Sequence, residues 1–126
     1  MQFEPHAIMA EGARPSFERA IDLVHLARQT LGDRDLEREV LDLFVTQART
    51  ILERLQASQD LRARSDLAHT LKGSARSVGA WRVAVEAESC EQLVEAADPS
   101  WQGALDRLTG EVRAAVGAIH ELGYAA

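Results

Sequence analysis

Residues 60–97 read DLRARSDLAHTLKGSARSVGAWRVAVEAESCEQLVEAA, and their punctuation decides the fold. Asp60 can cap a helix whose inward positions are Leu61, Leu67, Ala68, Leu71, Ala75 and Val78. Gly79-Ala80 makes a tight turn. A second helix follows from Trp81 to Ala97, with Val83, Ala87, Cys90, Val94 and Ala97 on one face. Two amphipathic helices joined by so short a turn must lie antiparallel.

The pattern extends in both directions. Upstream, Leu36, Val40, Leu41, Phe44, Ala48, Ile51, Leu52 and Leu55 form the strongest helical stripe of the chain. Before it, a short amphipathic helix runs from Asp22 to Leu31, with a start as early as Ser16 allowed and Gly32-Asp33 as its stop. Downstream, Asp98-Pro99 reads as a cap and first-turn proline. They open a last helix with Trp101, Leu105, Leu108, Val112, Ala115, Ile119 and Leu122 inward. The expected fold is all-α: an antiparallel four-helix bundle preceded by a shorter N-terminal helix. It forms one domain over residues 1–126, with residues 1–15 as a loosely ordered lead-in. Gly103, Gly110 and Gly117 recur on the last helix, through close helix approach or simple helix weakness, and are assigned no chemistry.

Composition agrees. Apolar residues make up 46% of the chain but aromatics only 5%, a diet suited to packed helices rather than sheets. A net charge of −6 argues against nucleic acid as a partner. The lone Cys90 fits a reducing compartment. The opening MQFEPHAIMAEG lacks the pattern of a leader, and no apolar run reaches membrane-spanning length. A soluble, cytoplasmic monomer is expected, and the Met start and short tails favour a free-standing protein. Of the 14 basic residues 13 are arginine, so the single lysine, Lys72, invites a specific explanation.

Lys72 stands three residues after His69, with Gly73 next. If Leu67, Leu71, Ala75 and Val78 face inward, Ser65, His69, Lys72, Gly73 and Arg76 share the outward face. A mid-helix glycine weakens the element by about 1 kcal/mol relative to alanine, and at this position it clears space beside the imidazole. The hairpin register centred on Ala80 sets Glu91 across from His69 and Glu88 across from Lys72. A carboxylate accepting from Nδ1–H would leave Nε2 as the nucleophile. Lys72 would offset the charge of a phosphoryl group bound there, and Gly73 would admit its donor or acceptor.

This motif, His69-Thr-Leu-Lys72-Gly73-Ser-Ala followed by Gly79-Ala80, resembles the signature of histidine phosphotransfer domains in bacterial multistep phosphorelays. The resemblance implies that His69 receives a phosphoryl group from a receiver-domain aspartate and returns it to another receiver. Partners would be receivers of response regulators and of a hybrid histidine kinase. Some relatives place a glutamine and, one turn further, a basic residue where this chain has Glu91 and Glu95; Arg76 could substitute as the second cation. The related domain of chemotaxis kinases is similar in using a glutamate across from its histidine.

Without a glycine-rich phosphate loop or room for an ATP domain, the chain is expected to be a carrier and no kinase, with no intrinsic cofactor. Any Mg²⁺ would sit in the receiver's acidic pocket. Two rivals remain: an unphosphorylated adaptor bundle, and a metal site built on Asp22-x-x-His25 and Asp66-x-x-His69. His6, His25 and His120 read as solvated, Cys90 as core, and Trp81 as packed under the turn.

Overall fold

The computed structural model describes residues 14–123, so the lead-in expected over 1–15, and His6 within it, lie almost wholly outside the described residues. Five helices and no strand occur among them: α1 Leu23–Gln29, α2 Arg34–Ala57, α3 Leu61–Val78, α4 Trp81–Glu95 and α5 Trp101–Glu121. Three begin on an aspartate whose carboxylate accepts from backbone N–H groups that a helix start leaves unpaired: Asp22 for α1, Asp33 for α2 and Asp60 for α3. Helices α2 to α5 form the bundle, with α3 packed most extensively on α4, α4 on α5, and α2 on α3. The core is aliphatic, with Leu41, Leu55, Leu71, Cys90, Leu108 and Ile119 fully buried.

Several ends differ from the sequence expectation. Helix α1 is shorter than Asp22–Leu31, and residues 18–21 form bends in place of an earlier helical start. Helix α4 stops at Glu95 and Ala97 is exposed in a left-handed conformation, φ 53°, because the chain leaves the helix through a capping turn. Helix α5 starts at Trp101, not at Asp98-Pro99. Asp98 instead accepts from the backbone and hydroxyl of Ser100, closing a tighter turn that feeds the helix. Leu36 and Leu61 are exposed rather than inward. Both occupy first helical turns, where side chains lean back toward the helix start instead of into the core.

The segment before α1 is tied to the α3–α4 turn. The Asp22 backbone N–H donates to the Gly79 carbonyl (2.9 Å), and Trp81 Nε1 donates to Asp22 Oδ2 (2.9 Å). Arg82 donates to the carbonyls of Phe17 and Glu18. Gly79 at φ 80° lies so close that an added Cβ would meet the Asp22 carbonyl at 3.0 Å. His25 is not simply solvated. Its ring meets Trp81 edge-on at 4.8 Å between centroids, with Nε2 buried and unpartnered, because α1 lies across the turn. Trp81 is packed there as expected. The α5 glycines make no close helix approach: an added Cβ at Gly110 or Gly117 would meet nothing within 4 Å, and at Gly103 only the Arg107 guanidinium.

Candidate functional site

Helix α3 carries His69 on its outer face, 67% exposed, between the fully buried Ala68 and Leu71 that anchor the opposite face. The α4 chain returns alongside and delivers Glu91. His69 Nδ1 lies 3.0 Å from Glu91 Oε2, and Lys72 Nζ donates to Glu91 Oε1 at 2.9 Å. One carboxylate thus holds both residues. Because a carboxylate only accepts, the proton of the neutral ring sits on Nδ1 and Nε2 keeps its lone pair.

Lys72 and Glu91 are far more covered than His69, with side chains 14% and 13% exposed. Partial burial pushes the Glu91 carboxyl up. The hydrogen bonds and charges of Lys72 and His69 outweigh that and hold it below the usual carboxylate range. Glu91 is an anion at neutral pH.

The expected Lys72–Glu88 pair does not form. Lys72 reaches across to Glu91, and Glu88 faces Arg76 at 3.8 Å, with both side chains substantially exposed. The register centred on Ala80 holds for short side chains: His69 meets Glu91, and Ser65 Oγ donates to Glu95 Oε2 at 2.9 Å. Long cationic side chains slide past it by most of a turn. The Ser65–Glu95 bond was not anticipated, although the same register predicts it. Arg76 is therefore engaged with Glu88 and lies one turn beyond Lys72.

Gly73 has open space beside it; an added Cβ would meet nothing within 4 Å. On the α2 side, Ser74 Oγ donates to Gln47 Oε1, and Gln47, Ile51, Leu67 and Thr70 line a shallow groove next to the histidine's turn. Leu43, one turn before Gln47 on α2, is 70% exposed.

The two Asp-x-x-His pairs do not come together. Asp22 caps α1 and holds Trp81, and His25 packs on Trp81, while Asp66 and His69 face outward. Among the described residues, no three His, Cys, Asp or Glu side chains converge as a metal-holding group. No described helix is long and apolar enough to cross a membrane.

Comparison with known proteins adds a family. The family model described as Hpt domain matches residues 39–121, from the second turn of α2 to the end of α5. No curated protein and no solved structure matches the chain. The match spans about two thirds of the chain and takes in the whole His69–Glu91 hairpin, and with an all-helical bundle beneath it the chain belongs to the Hpt domain family, whose members are phosphocarriers that exchange phosphoryl groups with receiver domains in phosphorelays.

Proposed function

We propose that this chain accepts a phosphoryl group on Nε2 of His69 from a receiver-domain aspartate and delivers it to a second receiver. The observation that carries the reading is the exposed imidazole bonded through Nδ1 to a carboxylate, with a lysine on the same carboxylate and a glycine one turn on. Nucleophilic attack needs an unprotonated Nε2, and the Nδ1–Glu91 bond supplies it. Lys72 steadies the phosphoryl charge from beside the ring, Arg76 is a more distant cation, and Gly73 gives the partner clearance. The chain needs no cofactor of its own, and Mg²⁺ is held by the receiver.

The partner surface is the outer face of α3 with adjoining parts of α2 and α4. The groove at Gln47, Ile51 and Leu67 with the exposed Leu43 supplies the apolar component of a small, transient interface. The protein acts as a cytoplasmic monomer, receiving from a hybrid kinase's receiver and passing to a response regulator.

Incubation with phosphorylated receivers tests the reading. His69→Gln is expected to abolish acid-labile labelling and leave the helical signal and melting temperature close to wild type, because the side chain is solvent-facing. Undiminished labelling of that variant overturns the reading. A chain that no receiver labels, whatever residue 69 is, acts as an adaptor.

A further inference from the structure

We propose that Glu91 makes His69 a discharging carrier: it keeps a proton on Nδ1 after Nε2 has been phosphorylated, so that the phosphoryl group leaves from a neutral imidazole. The proposal rests on the carrier reading and concerns what happens to the group once it is there.

The geometry favours outward transfer. Attack by Nε2 on the phosphorus of a receiver's aspartyl phosphate breaks its P–O bond, returns that electron pair to the receiver's carboxylate, and turns the neutral ring into a phosphoimidazolium whose Nδ1–H already points at Glu91 Oε2, 3.0 Å away. Left alone, that proton is readily lost. A carboxylate in direct contact favours the protonated ring by about tenfold or more. On discharge, the receiver's carboxylate oxygen forms its bond to phosphorus, the P–Nε2 bond breaks, and its electron pair returns to Nε2. With the proton held on Nδ1, neutral imidazole departs; without it, the leaving group would be imidazolate, a far stronger base. Glu91 is a positioning residue, acting through the ring.

The surrounding charges reinforce the direction. Lys72 and Asp66 share α3 with His69, Glu88 and Glu95 flank Glu91 on α4, and Arg54 of α2 lines the neighbouring groove beside Asp66. Lys72 is engaged by Glu91 and Arg76 by Glu88, so each of these cations already faces a carboxylate. A phosphoryl group at Nε2 therefore meets a Lys72 whose charge is already shared with Glu91.

The wild-type chain, Glu91→Gln, Lys72→Ala and the double variant can each be loaded with phosphoramidate, and the survival of phosphohistidine followed by ³¹P NMR between pH 6 and pH 9. Glutamine still accepts from Nδ1–H but lacks the charge. Glu91→Gln is expected to lengthen the lifetime by about tenfold at the alkaline end, the factor assigned above to the charge, with the two chains converging at the acid end. The same lengthening is expected in the Lys72→Ala background. A ratio independent of pH would mean that Glu91 merely repels the phosphoryl group. A gain that disappears without Lys72 would mean that it acts only by restraining that lysine. Either result overturns the proposal. Because phosphoramidate bypasses receivers, failure to load His69 at all would instead count against the carrier reading.

Discussion

Gly73 weakens α3 at a place where nothing inside the chain requires a glycine. Its neighbourhood is empty, so close packing does not explain it. Gly110 and Gly117 in α5 are equally open, which shows that an uncrowded helical glycine is not by itself a functional mark. What distinguishes Gly73 is its place one turn after an exposed histidine, where a side chain would stand in the path of an approaching protein. Gly73→Leu is therefore expected to raise stability by up to about 1 kcal/mol through helix propensity, while slowing transfer to a receiver several-fold. A melting curve and a transfer assay on one preparation measure both, and a more stable variant that transfers normally removes the access role. His69, Lys72 and Gly73 were legible in the sequence because positions on one helix have fixed spacing. Glu91 was legible because the two-residue turn fixed the register. The partner of Lys72 was not, because a flexible four-carbon stem reaches well beyond the position opposite its own Cα.

At the scale of elements, three helices end in the same way. In α1, α3 and α4 a residue in left-handed conformation follows the helix: Leu31 at φ 53°, Gly79 at φ 80° and Ala97 at φ 53°. Each time, the next N–H donates to the carbonyl five residues back: Gly32 to Ala27, Ala80 to Ala75, and Asp98 to Leu93. This is the Schellman closure, which normally favours glycine at the left-handed position. Only Gly79 obeys the preference, and only there would a Cβ strike backbone, the Asp22 carbonyl. Gly79→Ala is thus expected to cost more than the about 1–2 kcal/mol of the left-handed conformation alone, since the α1 junction must also shift. Ala97→Gly should do the reverse and raise stability by up to about 1 kcal/mol. Chemical denaturation of the pair checks the contrast; equal and opposite effects would show that Asp22 gives way freely. The helices were legible from their apolar periodicity, as was the Gly79 turn. The ends at Leu31 and Ala97 were not, because hydrogen bonding there overrides residue preference. Leu31 is 92% exposed, so burial offers no compensation for its strain.

At the scale of the molecule, two anions tie its parts together, and both respond to acid. The family match begins inside α2, so α1 and the segment before it lie outside the matched region and depend on their own attachments to the α3–α4 turn. Asp22 is the centre of that attachment, accepting from the Ser16 and His25 backbone N–H groups and from Trp81 Nε1. Burial pushes its carboxyl up, but those three donors outweigh burial and hold it below the usual range. Glu91 is depressed in the same way by Lys72 and His69. Unfolded carboxyls titrate near about 4, so between that value and the lower folded ones the unfolded chain binds more protons. Stability from both groups is therefore complete above about pH 5 and drains away as the pH falls through the folded values. Asp22→Asn leaves one acceptor oxygen for donors now shared between two, and is expected to lower neutral-pH stability by about 1–3 kcal/mol. It should also flatten the acid slope, because asparagine does not titrate. Combining it with Glu91→Gln should flatten the slope further. Unfolding curves at intervals from pH 7 to pH 3 decide the matter: a double variant that loses stability in acid as steeply as the wild type would place the acid-sensitive contacts elsewhere in the bundle.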